Sequence, residues 1–129
     1  MPRVATAAAY EAVLEALARR NKYAVGRAML IAHYRMPNHV TTMRHLAIAV
    51  YGMANFRLGN LQYGGLAARV RRDLHLPRPR LEIAVLATWP EPPIDAVGEF
   101  AFRLRPEVVA ALEQLGWSEY PLVDPFPVV

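Results

Sequence analysis

Arginine and amide side chains are concentrated between positions 44 and 72, and together they form a candidate nucleic-acid contact set. A guanidinium group makes paired hydrogen bonds to a phosphate or to guanine, and an Asn or Gln amide pairs with adenine. A glycine on the same surface lets another backbone approach closely. The candidate DNA-binding residues are Arg44, Asn55, Arg57, Asn60, Gln62, Gly65, Arg69, Arg71 and Arg72.

These side chains also have a plainer interpretation. Amide side chains are equally suited to capping helices and forming turns, so base or phosphate contact and local structure remain equal alternatives for the three amides. The strongest expectation of DNA contact falls on Arg69 and Arg72. Arg57 and Arg71 are compatible with phosphate contact alone or with a solvated surface.

Two amphipathic helical patterns within residues 41–76 position this set. Thr41 or Thr42 can cap the first helix, since a hydroxyl can accept from the exposed amides of a first turn, and apolar residues then recur every three or four positions. Gly52 stands where this helix should stop, and Asn55 can cap the second helix. A helix, a tight turn and an arginine-bearing helix have the outline of a helix-turn-helix.

The phase of the second pattern separates a core face from a polar face. The core face comprises Tyr63, Leu66, Ala67, Val70 and Leu74, and the polar face comprises Gln62, Gly65, Arg69 and Arg72. Leu58 and Leu61 do not fit this phase. Either the regular helix starts near Asn60, or these leucines pack elsewhere or touch a partner.

Charge is distributed unevenly along the 129 residues, whose net charge is +4. Residues 19–80 contain twelve Lys and Arg against one acid, whereas residues 81–129 contain two arginines against eight acids. The basic block coincides with the two-helix pattern, which favours nucleic-acid binding. A solvated basic surface is the alternative.

The remaining patterns predict a single domain over 1–129, mainly α with a β-hairpin. The predicted order is winged helix-turn-helix-like: four helices, then the hairpin, then a C-terminal helix. The predicted parts are scaffold helices in 1–40 (6–20 and 23–35), a helix-turn-helix-like unit in 41–76, a hairpin in 81–104 (strands 81–88 and 98–104), a helix in 105–117 and an extended tail in 118–129.

Alternation in the second predicted strand places Phe100, Phe102 and Leu104 on one buried face. The connecting loop, residues 89–97, contains two acids and no base, so phosphate would repel it. The hairpin is therefore expected to pack on the core or to meet a protein partner.

No residue pattern indicates catalysis, a cofactor or a metal, so an enzyme is not predicted. His33, His39 and His45 are spaced by six, which does not place them on one helical face, and they are expected to be surface or capping residues. Trp89 and Trp117 are expected to be core or interface anchors. The chain has no cysteine and no apolar run of about 18 residues, and a cytoplasmic protein without membrane contact is expected.

The run AVYGMANFRLGNLQYGGLAARV resembles a pattern of small bacterial proteins and of domains fused to HNH nucleases. The matching positions are Thr41 or Thr42, Leu46-Ala47, Gly52, Asn60 and Tyr63-Gly64-Gly65-Leu66-Ala67, and RLRPEVVAALEQLGW (103–117) is similar to the end of such domains. The resemblance covers roughly half of the chain. It implies an accessory DNA-recognition module of modification-dependent restriction systems, which would sense modified DNA. No HNH nuclease motif is present.

Two classes of function are compatible with these patterns. The first is a non-catalytic, winged-helix-type protein that binds duplex DNA through its arginine-rich helix, with RNA as an unseparated alternative substrate. The second is a protein-interaction adaptor of a phage or defence system, acting through the acidic C-terminal part and the proline-rich tail. A homodimer that buries Trp117, Tyr120 and Phe126 is compatible with both.

Overall fold

Five α-helices and a small three-stranded antiparallel sheet form the part of the chain that the computed structural model describes, residues 4–90 and 98–119. The helices are α1 (Ala7–Arg19), α2 (Ala24–Arg35), α3 (Met43–Tyr51), α4 (Phe56–Asp73) and α5 (Pro106–Gln114). The strands are β1 (Val40–Thr42), β2 (Ala87–Thr88) and β3 (Ala101–Leu104), and 3-10 turns cover Pro37–His39, Glu82–Val85 and Trp117–Glu119. The prediction of a mainly helical protein with a small antiparallel pairing near its C-terminal end is confirmed.

Local capping signals define the helix pair α3–α4 as the sequence predicts. The Thr42 hydroxyl accepts the amide of His45 at 3.2 Å, and Gly52 ends α3 in a left-handed conformation with φ of 77°. The Asn55 side chain accepts the amide of Leu58 at 3.1 Å and so caps α4. Helix α4 therefore begins at Phe56, ahead of the alternative start near position 60.

The two leucines that did not fit the phase of α4 have different surroundings. Leu58 packs against the core, whereas Leu61 is 69% exposed. The predicted core face is confirmed for Tyr63, Leu66 and Val70, which are fully buried. Leu61 thus adds an apolar side chain to the solvent side of α4.

Strand β3 is the central strand of the sheet, between β1 and β2. Thr41 of β1 lies opposite Phe102, and Ala87 of β2 lies opposite Leu104. Strand β1, between α2 and α3, is not predicted by the sequence. The predicted strand 81–88 is wrong apart from its last two residues.

Side chains from other elements explain why residues 82–85 form a turn instead of a strand. The Tyr10 hydroxyl donates to the Val85 carbonyl at 2.6 Å, and Arg105 Nε donates to the Ala84 carbonyl at 2.8 Å. Both carbonyls are therefore satisfied without a strand partner. This turn, called turn 82–85 below, packs against α4.

The alternation predicted for β3 holds only in part. Phe102 and Leu104 are buried, but Phe100, a single bridge residue just ahead of the strand, is 68% exposed. Ala101, which alternation would place on the opposite face from Phe102, is buried as well. The prediction that Phe100 belongs to the buried face is wrong.

His33 lies in the core, so its assignment as a surface or capping residue is wrong. Its Nε2 lies 3.0 Å from the Phe102 carbonyl and its Nδ1 lies 2.8 Å from the Tyr63 hydroxyl. A carbonyl can only accept, so the neutral ring donates from Nε2 and accepts the Tyr63 proton at Nδ1. Burial lowers the pKa of His33 to about 4. The imidazole thereby joins α2, α4 and β3.

Helices α2 and α4 cross with their backbones in contact. A Cβ atom at Gly26 would lie 2.8 Å from Leu66 Cβ and 2.9 Å from the Gln62 carbonyl oxygen. Any side chain at this position would therefore push the two helices apart. The crossing fixes the position of α4 against the scaffold.

The C-terminal end departs from its prediction in two respects. Helix α5 ends at Gln114, and Gly116 with φ of 75° leads into the turn Trp117–Glu119, so positions 117–119 are neither helix α5 nor an extended tail. Trp117 is 5% exposed, so its assignment to a dimer surface is wrong. Residues 91–97 and 120–129, which include Tyr120, Phe126 and most of the predicted hairpin loop and tail, lie outside the described residues.

No described helix combines the length and apolar character needed to cross a membrane.

Candidate nucleic-acid interface

The solvent side of α4 presents Arg57, Leu61 and Arg72, which we call the α4 outer face. Successive helical residues advance by about 100°, so these three lie within an arc of about 60°. Arg57 and Arg72 are exposed, and among the described residues neither has an acidic partner within ion-pair distance. They are 15 positions apart, or about 22 Å along the axis. The α4 outer face therefore offers two open guanidinium groups near opposite ends of one helix.

Arg69, a leading sequence candidate, lies beside the α4 outer face and forms an ion pair with Asp73. Its Nε is 3.1 and 3.0 Å from the two carboxylate oxygens, and the interaction raises the pKa of Arg69. The Arg69 side chain is 26% exposed and the Asp73 side chain is 34% exposed. Solvent screens an accessible ion pair of this kind and keeps it weak, so a phosphate could replace the carboxylate at little cost.

Arg71 is directed toward turn 82–85. Its Nε donates to Glu82 at 2.9 Å, and the two side chains are only 16% and 23% exposed. Glu82 also lies within ion-pair distance of Arg78, with 3.5 Å between Arg78 Nε and Glu82 Oε1. Arg71 thus connects α4 to the following segment. Its side chain is less exposed than those of the other two predicted arginines that form ion pairs, Arg44 and Arg69.

Arg44 lies in the first turn of α3 and is separate from the α4 arginines. It approaches Glu99 at 3.5 Å, with side-chain exposures of 43% and 28%. Three arginines of the basic block, Arg44, Arg71 and Arg78, therefore face carboxylates from the acidic C-terminal part. The charge separation along the sequence is partly cancelled in space.

The amide and glycine candidates occupy three kinds of environment. Asn55 is committed to capping α4, whereas Asn60 is exposed. Gln62 is partly exposed, and its carbonyl abuts α2 at Gly26. A Cβ at Gly65 would lie 3.7 Å from the Tyr23 ring, so this position already has a protein neighbour. Asn60 is therefore the exposed amide candidate that does not serve as the cap of α4.

An apolar cavity of 470 Å³ adjoins the N-terminal half of α4. Its lining includes Asn60, and three large apolar side chains at its edge, Phe56, Leu81 and Phe100, are 50%, 54% and 68% exposed. The sequence pattern does not reveal this cavity, because the three residues come from separate elements. Exposed apolar surface gathered around a concavity is typical of a binding surface.

The tyrosine of the Tyr-Gly-Gly-Leu-Ala run has a structural role. Tyr63 is fully buried, and its hydroxyl bonds to His33. Leu66 and Ala67 are buried with it, while a Cβ at Gly64 would meet nothing within 4 Å. The apolar residues Tyr63, Leu66 and Ala67 of this segment therefore lie on the core side of α4.

Comparison of the chain with protein-family models, with curated proteins and with solved structures gives no match. The resemblance to domains fused to HNH nucleases therefore remains a prediction. Within residues 4–90 and 98–119, no three His, Cys, Asp or Glu side chains are grouped closely enough to hold a metal ion.

Proposed function

We propose that this chain is a non-catalytic duplex-DNA-binding protein of the winged-helix type. The observation that carries the proposal is the order α2-β1-α3-α4-β2-β3, with β3 between β1 and β2. In winged-helix proteins a strand before the helix-turn-helix and a hairpin after it form such a sheet. The second helix of the pair, here α4, then enters the major groove.

The spacing of the open arginines supports a helix that lies across the groove. Arg57 and Arg72 are about 22 Å apart along α4, whereas the major groove is about 12 Å wide. Each guanidinium would therefore reach the phosphate backbone on its own side of the groove. Phosphate contacts of this kind position the helix, and Asn60 between them would reach a base edge.

The paired arginines would have a graded contribution. Arg69 and Arg44 retain accessible surface and would exchange their carboxylates for phosphates. Arg71 would stay with Glu82, because separating a less accessible pair leaves two charges poorly solvated. Asn55 would act by fixing the start of α4, and Gln62 and Gly65 would contribute less because α2 and Tyr23 adjoin them.

Fluorescence anisotropy with a labelled duplex tests the proposal. The variant Arg57→Gln/Arg72→Gln should bind at least about tenfold more weakly, since each charged hydrogen bond is worth about 1.5–3 kcal/mol. The slope of log affinity against log salt should fall by about two, because each lost phosphate contact removes about 0.9. Plain, methylated and single-stranded DNA, and RNA, identify the preferred substrate and test the implied sensing of modified DNA.

A matched control removes the same charge elsewhere. Arg19 and Arg20 end α1, the helix that packs on α5. Arg19→Gln/Arg20→Gln should retain the parent affinity. Equal losses in both double variants would indicate non-specific attraction to a basic protein, and an unchanged affinity in the α4 variant would refute the proposal.

The second candidate is a protein-interaction adaptor of a phage or defence system, and the apolar cavity beside α4 favours it. Three exposed apolar side chains at one concavity are suited to burying a partner's side chain. If this candidate is right, the chain should form a stable complex with a partner protein, and Phe100→Ser should abolish that complex. The chain should also not be retained on DNA at low salt. Deletion of residues 120–129 tests separately whether the proline-rich tail contributes. An unchanged complex in both variants would rule out these two surfaces.

A further inference from the structure

A second concave surface, the basic groove, is defined by Arg78, Arg80, Trp89 and Arg105. It has a volume of 600 Å³, and its wall includes the prolines of the segment after α4. This volume falls within the range of about 300–1000 Å³ typical of ligand sites. No acidic side chain of the described residues lines the groove. Its charge therefore suits an anionic ligand.

The polar groups of the basic groove differ in how far other residues already engage them. Arg80 has no ion-pair or hydrogen-bond partner among the described residues, and the same holds for the indole N–H of Trp89. Arg78 is 79% exposed and is only loosely paired, 3.5 Å from Glu82. Arg105 donates from Nε to the Ala84 carbonyl at 2.8 Å, which holds its guanidinium at the groove. Little has to be broken for a ligand to enter.

The combination of an indole with guanidinium groups selects a class of ligand. Every base has a flat face that can stack on an aromatic ring, at about 1–3 kcal/mol per base. Guanidinium groups bind phosphate in paired hydrogen bonds. We propose that the basic groove binds a phosphorylated nucleoside, with its base stacked on Trp89 and its phosphate held by Arg80, Arg78 and Arg105.

This site does not depend on duplex binding by α4, because the basic groove and the α4 outer face share no residue. The ligand could be a free nucleotide or one unit of a single strand. Both sources present the same base and phosphate chemistry. Trp89 is partly exposed, so part of its ring is accessible for stacking.

Tryptophan fluorescence of the full chain tests the proposal. The titrants are thymidine monophosphate, a short oligothymidylate and thymidine without phosphate. Stacking should quench Trp89, whereas Trp117 is 5% exposed and should contribute a constant signal. Quenching by the mononucleotide would identify a free nucleotide as ligand, and quenching by the oligonucleotide alone would identify a single strand. Either result supports the groove as a nucleotide site.

Three variants make the test specific. Trp89→Phe should abolish the quenching, and Arg80→Gln should weaken binding by about tenfold through loss of a charged hydrogen bond. Arg20→Gln removes the same charge from the end of α1 and should bind as the parent does. Thymidine quenching as strongly as its phosphate, or an unchanged affinity in Arg80→Gln, would overturn the proposal.

The two proposals fail independently. Arg57→Gln/Arg72→Gln should leave the quenching by nucleotides unchanged, since neither residue lines the basic groove. Loss of quenching in that variant, with the fold retained, would contradict a separate site. Loss of duplex binding with unchanged quenching by nucleotides would support the role of α4 in duplex binding and leave the proposal for the basic groove intact.

Discussion

Acidification should destabilise this protein through His33. Its pKa is about 4 in the folded chain because burial disfavours the charged ring, against 6.5 for an unperturbed histidine. Below pH 6.5 His33 therefore binds a proton in the unfolded chain but not in the folded chain. The free energy of unfolding should fall as the pH decreases from about 6.5 toward 4.

The magnitude depends on the gap between the two pKa values. At 1.36 kcal/mol per pH unit, a gap of about 2.5 corresponds to roughly 3 kcal/mol, of which about 2 to 3 kcal/mol is lost between pH 7 and pH 4.5. That is a large share of the roughly 5–15 kcal/mol typical of a folded protein. Protonation would also turn Nδ1 into a donor facing the Tyr63 hydroxyl, whose own proton would lose its acceptor.

Urea unfolding at several pH values, for the parent and for His33→Gln, isolates this contribution from the titration of carboxylates. The parent's advantage in free energy of unfolding should shrink by about 2 to 3 kcal/mol between pH 7 and pH 4.5. A constant difference over that range would refute the reasoning. A direct check on the parent is the His33 ring-proton resonance, which should complete only about a tenth of its titration shift between pH 7 and pH 5.

Two further predictions concern helix α4. Gly26→Ala should lower the free energy of unfolding by about 1–3 kcal/mol, because the added methyl group meets Leu66 Cβ at 2.8 Å; Gly64→Ala, where a Cβ meets nothing within 4 Å, should raise it by up to about 1 kcal/mol. Thermal unfolding measures both, and equal effects at the two positions would contradict the close crossing of α2 and α4. Asn55→Asp should keep the helix cap and hence the free energy of unfolding, whereas Asn55→Ala should lower that free energy by about 1 kcal/mol. Asn55→Asp should nevertheless weaken duplex binding, because a carboxylate near the start of α4 repels phosphate. Unchanged duplex binding would place that end of α4 away from the DNA.

Local signals explain the parts of the fold that the sequence predicts well. The caps of α3 and α4 involve residues three positions apart, and Gly52 acts within its own turn. The apolar period of α4 likewise identifies its buried face. Such features need only neighbouring residues, so they can be deduced without knowledge of the tertiary structure.

Contacts between distant residues account for the errors. Strand β1 has three residues and is defined by pairing with β3, some 60 positions away. Residues 81–88 have strand-like composition, but Tyr10 and Arg105 bind the carbonyls that a ladder would use. The burial of His33 cannot be deduced from local sequence, because its partners, Tyr63 and Phe102, lie on other elements.

The candidate interface shows the same division. The spacing of Arg69 and Asp73 indicates their ion pair, since residues four apart on a helix are neighbours. The pairing of Arg44 with Glu99 and of Arg71 with Glu82 depends on the tertiary fold. Which guanidinium groups remain open could therefore be decided only from the structure.

The contact at Gly26 also has a mechanical consequence. At Gly26 α2 has no side chain of its own, so little deformable material separates the two helices at their crossing. The pair should respond to load as one rigid body, and a ligand that shifts α4 would shift α2 with it. Because β1 comes after α2 with only a single turn between them, that displacement would reach the edge of the sheet.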